Sequence, residues 1–175
     1  PSSIFDSYEK AASSPGQNLF LSGRIVGVQI YISQNANLRQ DIIDSLCNLL
    51  LRGMSKKFGD GVTLQIYAYK KPIEINSTMP LIVLCPFASR LGESVSEALS
   101  EVQPDENVVL LILHHVAGHD INVLSSTSKL TLPESAKLGC ILDMVFHNRD
   151  GIHKCKQNDD TVVRIAEFLS EYNIK

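Results

Sequence analysis

Apolar runs and helical stripes take turns along this chain. Arg24 to Ile32 reads Arg-Ile-Val-Gly-Val-Gln-Ile-Tyr-Ile, a first strand rich in β-branched residues and interrupted only by Gln29. A helix follows, in which Leu38, Ile42, Ile43, Leu46, Leu49, Leu50 and Met54 recur at three- and four-residue spacing. Asn37 and Gln40 are spaced as a capping box, and Lys56, Lys57 and Gly59 mark the C-terminal end. Val62 to Tyr69 is a second strand, with apolar Val62, Leu64, Ile66 and Ala68 alternating with Thr63, Gln65, Tyr67 and Tyr69. The third strand, Pro80 to Cys85, contains no polar residue. Its helix carries the stripe Leu91, Val95, Ala98, Leu99 and Val102, and Pro104 stops it. The fourth strand, Asn107 to Leu113, is again wholly apolar after Asn107 and runs into His114 and His115. Gly139 to Phe146 is the fifth, with Asp143 in its middle, and Asp160 opens a last helix with Val162, Ile165, Ala166, Leu169 and Tyr172 on one face. Ile4, Phe5, Tyr8, Ala11 and Ala12 predict a short amphipathic helix over 3–13, capped by Ser3. Residues 70–79 and 116–137 carry no consistent period.

Strands alternating with helices predict a mostly parallel sheet covered on both faces, a three-layer doubly wound α/β fold. Strand texture orders that sheet. The third and fourth strands are apolar throughout, as central strands buried on both faces must be. The second alternates and the fifth carries Asp143, so both are expected to tolerate water on one side and to form the edges. The first belongs inside. The five-stranded order is then 2-1-3-4-5, which is the flavodoxin-like one, and the chain reverses direction between strands one and three. No repeat, low-complexity tract or linker divides the chain, so one α/β domain is expected over 1–175, with an N-terminal helix and connector over 1–23 and a core over 24–172.

Composition narrows the function classes. The 175 residues are 44% hydrophobic and 20% charged, which excludes a disordered tail. The net charge of -3 offers no surplus to draw nucleic acid or an anionic membrane, so neither is expected as a partner. No run approaches the roughly 18 apolar residues of a spanning helix. No basic segment followed by an apolar one opens the chain, and a cytoplasmic protein is expected. The four cysteines form no CxxC pair; Cys47, Cys85 and Cys140 sit in apolar runs as small hydrophobes, and Cys155 stands apart, as in a reduced protein.

The crevice between strands one and three, at their carboxyl ends, is where open α/β sheets bind ligands. The loop after strand one supplies Ser33, Asn35 and Asn37. The loop after strand three supplies Ser89, Arg90 and Gly92 at a helix start, where free N–H groups, the dipole and a guanidinium favour an anion. His114 and His115 follow strand four, as a ligand donor and a general base. The bland alternative is that Ser89 caps its helix and Arg90 pairs with Glu93 or Glu97. No metal site is expected: His114, His115, His119, His147 and Cys155 have no established zinc spacing, and HExxH is absent. No Walker loop and no GxGxxG occurs.

The five-strand order, with Gly92-Glu93-Ser94-Val95-Ser96-Glu97-Ala98 on the helix after strand three, resembles TIR domains and the nucleoside deoxyribosyltransferase-like group. The aromatic-Cys-x-x-Glu signature of TIR domains does not occur, nor does the transferases' glycine-to-glutamate spacing. The resemblance implies either a protein-interaction module, with a protein partner or a second copy, or an enzyme that cleaves an N-glycosidic bond of a nucleotide with Glu93 or Glu97. Read from the residues alone, the expected function is binding of a small anionic or nucleotide-like ligand at the crevice.

Overall fold

In a parallel sheet covered on both sides every strand residue needs an apolar environment, and the two most apolar strands do lie at the centre. The computed structural model describes residues 8–9, 23–87, 89–116, 126, 130–147, 149, 151–152 and 154–174. Its strands are β1 (Tyr8–Glu9), β2 (Arg24–Tyr31), β3 (Val62–Tyr69), β4 (Leu81–Phe87), β5 (Val108–His115), β6 (Cys140–His147) and β7 (Gly151–Ile152). Its helices are α1 (Gln40–Phe58), α2 (Leu91–Leu99) and α3 (Lys156–Ile174). The five long strands are parallel and lie side by side as β3-β2-β4-β5-β6, the flavodoxin-like arrangement.

The sheet as a whole is larger and mixed. β1 pairs antiparallel with β3, and β7 pairs antiparallel with β6. The expected edges, Val62–Tyr69 and Cys140–His147, are therefore each flanked by a two-residue strand. Edges this short give little template for further pairing. Tyr8 and Glu9 are extended, in register with Ile66 and Gln65, so no helix over 3–13 passes through them; its remaining positions lie outside the described residues.

Two apolar layers sandwich the sheet. Ile42, Leu46, Leu50 and Met54 of α1 and Val162, Ile165 and Leu169 of α3 pack on one face. Val95, Ala98 and Leu99 of α2 pack on the other. Most of the expected stripe positions are buried, but Leu49, Leu91 and Tyr172 are half-buried, Leu38 lies before α1, and the ends differ. Arg39 is the N-cap of α1 and no side chain caps it; Gln40 bonds Asp44 at 2.9 Å, so the Asn37–Gln40 box does not form. Gly59 ends α1 at a φ of 71°, a left-handed conformation that glycine adopts without strain. α2 ends at Leu99, well before Pro104, although Val102 stays buried against it. α3 begins at Lys156, a turn before Asp160, because Asn158 is tied to β6: it accepts from Val145 N and donates to Val145 O, both at 2.9 Å. Asp143 faces no water. It is 5% exposed, with Ser126 bonded to its carboxylate.

Amide exchange is expected to be slowest in Leu81–Cys85 and Val108–Leu113, whose hydrogen bonds open only with the core. Faster exchange there than in Thr63–Tyr67, measured by NMR, would contradict this ranking.

Candidate functional site

β2 and β4 share only three register positions, Gln29 with Leu81, Ile30 with Ile82 and Tyr31 with Val83. β2 then ends, while β4 runs on through Leu84, Cys85, Pro86 and Phe87. Four more residues carry it roughly 13 Å further. The result is a notch in the upper edge of the sheet. Pro86 suits the notch. Leu81 N bonds Asn107 O toward β5, so alternation turns the backbone of residue 86 toward β2, past its last residue. A proline there leaves no donor unpaired.

A cavity of about 430 Å³ occupies this notch. Its floor is apolar: Leu84, Pro86 and Phe87 from β4, Phe146 from β6 and Ile42 from α1. One wall is the β2–α1 loop, with Ser33, Asn35, Asn37 and Arg39. That loop turns tightly, Ala36 N bonding Ser33 O at 3.0 Å and Asn35 N bonding Ser33 Oγ at 3.3 Å. The opposite wall is α2, through Ser94, Glu97 and Ala98, and His115 closes the rear. An apolar floor with polar groups on facing walls is the usual make-up of a small-molecule pocket, and the volume lies in the usual range.

The structure thus brings Ser33, Asn35, Asn37, Glu97 and His115 to one cavity. Ser89, Arg90, Gly92, Glu93 and His114 do not line it. Arg90 is the N-cap residue of α2 and bonds Glu93 Oε1 at 2.8 Å, with both side chains more than 70% exposed. Ser89 caps nothing there. The guanidinium at the cavity belongs to Arg39, at the uncapped start of α1. Its Nε donates to Asp41 Oδ1 at 2.9 Å and a second nitrogen bonds Asp41 Oδ2. That pairing holds the Asp41 carboxyl below its ordinary value. Arg39 could have been found from the same signal that picked out Arg90, a cation at a helix start after a strand. What decides between them is which helix opens over the notch.

His114 and His115 part company because successive strand side chains point to opposite faces. His115 is exposed on the α1–α3 face, its ring 5.3 Å from that of Phe146 and 6.5 Å from that of His147. His114 points to the α2 face, its ring 5.4 Å from that of Phe87. There His114 Nε2 lies 2.7 Å from Asp143 Oδ1, and Ser126 N donates to Asp143 Oδ2 at 3.1 Å. Burial pushes the Asp143 carboxyl up, but hydrogen bonds from His114 and Ser126 outweigh it and hold the group below its ordinary value. Ser126 Oγ is 3.3 Å from the same Nε2. A hydrolytic triad needs the serine and the carboxylate on different ring nitrogens. With both on Nε2, this trio fastens the β5–β6 connection to the sheet and prepares no nucleophile.

Burial pushes the Cys47 and Cys85 thiols up to about 12, so both stay protonated as core hydrophobes. Among the described residues no three His, Cys, Asp or Glu side chains are grouped to hold a metal ion; His119 lies outside them. No described helix is long and apolar enough to cross a membrane.

No family model matches the chain, and no curated protein matches it. Among solved structures, the chain is similar to an oxidoreductase from Corynebacterium diphtheriae, with a TM-score of 0.49 and 14% identity over 85% of this chain and 98% of that one. It is also similar to a short-chain flavodoxin associated with a non-canonical PDU bacterial microcompartment, with a TM-score of 0.44 and 8% identity over 83% of this chain and 97% of that one. At such identities and scores neither protein lends its chemistry to this chain, which is an α/β protein with a flavodoxin-like strand order.

Proposed function

We propose that this protein binds a small anionic, nucleotide-like ligand in the notch between β2 and β4. One observation carries the reading: the cavity joins an apolar floor to a polar loop that ends on Arg39 at an uncapped helix start. An apolar ring would sit among Phe87, Leu84 and Phe146. An anionic group would take the Arg39 guanidinium and the first amides of α1, where the helix dipole favours negative charge. Asp41 competes for that guanidinium, so the ligand must displace a carboxylate that already occupies it.

The competition makes a test in which the two effects have opposite signs. In a thermal-shift screen of nucleoside mono- and diphosphates, at about 100 times Kd a binding nucleotide stabilises by about 2.7 kcal/mol, a shift of several degrees. For a nucleotide that binds, Arg39→Ala is expected to weaken affinity about tenfold. Asp41→Asn is expected to strengthen it, by freeing the guanidinium. Arg90→Ala should change neither affinity nor stability by more than about 0.5 kcal/mol, because its ion pair is exposed. No shift with any nucleotide would favour the TIR-like alternative, a non-enzymatic protein-interaction module.

Glu97 supports a second reading in the same place. It lines the cavity wall facing the polar loop, whereas Glu93 does not line the cavity. In cleavage of an N-glycosidic bond, the base would depart with the electron pair of the C1′–N bond and take up a proton. Water would add to the ribosyl carbon, and Glu97 would stabilise the cationic sugar between those events. Release of free base from a bound nucleotide, lost in Glu97→Gln with binding retained, would support turnover; binding without release would leave the protein a binder.

A further inference from the structure

A second cavity, of about 600 Å³, opens on the outer face of the helical layer formed by α1 and α3, away from the notch. The two helices meet at Gly53, where any Cβ would run into the Cγ1 atom of Val162. On one side of that contact they leave a groove. Its bed is apolar, with Leu49 from α1 and Val162 and Ala166 from α3, and Val163, an exposed valine, stands on its lip. Its rim is basic: Arg52, Lys56 and Lys57 from α1 and Lys154 from the segment before α3, against the single carboxylate of Asp159.

That charge is concentrated against the trend of the chain, whose net charge is -3. Among the described residues none of the four cations makes an ion pair. The helix dipole accounts for Lys56 and Lys57, which sit in the last turn of α1 beside its negative end. It accounts neither for Arg52, more than a turn earlier, nor for Lys154, which is on no helix. A small anion needs no apolar bed. A membrane surface is met by a convex or flat basic face, whereas this one is a trough between two helices. Apolar anchors below and cations above fit a segment with apolar side chains on one side and carboxylates on the other.

We infer that the α1–α3 groove is a docking surface for an acidic, amphipathic peptide segment of a partner protein. The charges would steer and orient that segment, and the apolar bed would hold it.

Fluorescence anisotropy tests this with a labelled peptide of about twelve residues, Leu at three- and four-residue spacing and Glu elsewhere. Saturable binding to the wild-type chain is expected, weakening as salt rises. The charge-reversed pair Arg52→Glu and Lys56→Glu should weaken it at least about tenfold. Lys154→Glu, off the helices, should weaken it in the same direction and guards against misfolding of the pair. Arg39→Ala should leave it unchanged, which separates this groove from the notch. A peptide with Lys in place of Glu should not bind. Four results would overturn the inference: no binding of the acidic peptide up to about 1 mM; equal binding by wild type and the folded charge-reversed chains; displacement of the peptide by millimolar inorganic phosphate, which would mark a small-anion site; or co-sedimentation with phosphatidylserine vesicles in place of peptide binding, which would mark a lipid surface.

Discussion

Asp143→Ala is expected to destabilise the fold by about 3 kcal/mol, because it strips a buried network of its acceptor. Asp143 is 5% exposed and accepts at both carboxylate oxygens, from His114 at 2.7 Å and from Ser126 N at 3.1 Å. Its removal leaves the His114 imidazole and the Ser126 N–H without their shared acceptor. With an m-value of about 2 kcal/mol per molar urea, the unfolding midpoint should fall by about 1.5 M. Asp143→Asn keeps the shape and one good acceptor, and should cost less. The two variants also separate the charge from the shape through pH. The folded carboxyl titrates below its unfolded value, so its charge stabilises fully above about pH 4 and loses that contribution as the pH falls through the lower folded value. The stability gap between wild type and Asp143→Asn should therefore stay level from neutral pH down to about 5 and close below about 4. A gap that widens below about pH 5, in urea melts at stepped pH, would mean that the carboxylate is not held charged by these partners.

Asp143 also shows where reading along a chain stops working. A carboxylate in the middle of a strand is unfavourable in a core, so position alone predicts that it faces water. The group that makes its burial tolerable, His114, lies on the neighbouring strand, 29 residues away in the chain. Nothing local announces the pair. Strand order was readable for the opposite reason. A strand covered on both faces must be apolar at consecutive positions, so Leu81–Cys85 and Val108–Leu113 declare their place without knowledge of any partner. The same logic hides β1 and β7, since two residues are too few to display a period.

The candidate cavity was half readable. Ser33, Asn35 and Asn37 follow from the strand order, because the loop after the strand at the reversal point must overhang the crevice. The guanidinium did not follow. Arg39 and Arg90 both stand at helix starts after strands, and each has an acidic neighbour two or three residues on. The discriminating fact is the unequal reach of β2 and β4, which depends on register. That His115 and His114 face opposite sides of the sheet, His114 against Asp143, is a matter of strand parity, readable only once β5 is known to run through both residues.

Gln29→Leu is expected to cost about 3 kcal/mol, although it replaces a fully buried polar side chain by an apolar one of similar size. Gln29 is the lone polar residue in an otherwise apolar stretch of β2, and the structure shows what it holds. Its Nε2 donates to Asn76 O at 2.7 Å and to Met79 O at 3.3 Å, and its Oε1 accepts from Asn76 N at 2.6 Å. The amide thereby satisfies three backbone groups of the connection between β3 and β4, where no ladder reaches them. Leucine fills the volume and satisfies none of them; Asn76 O keeps Met79 N at 3.3 Å, but Asn76 N and Met79 O lose their bond to the amide, and each such group left unpaired costs about 1–3 kcal/mol. Asn76→Ala is the control. Its bonds to Gln29 run through its backbone and survive, while among the described residues its side chain bonds only Thr78, at 2.9 Å to the amide and 2.7 Å to the hydroxyl. Loss of that exposed turn should cost about 1 kcal/mol or less. Urea melts should therefore rank wild type first, Asn76→Ala next and Gln29→Leu well below. Equal midpoints for the two variants would show that the connection is held by the Asn76 turn, and that Gln29 merely tolerates its position in β2.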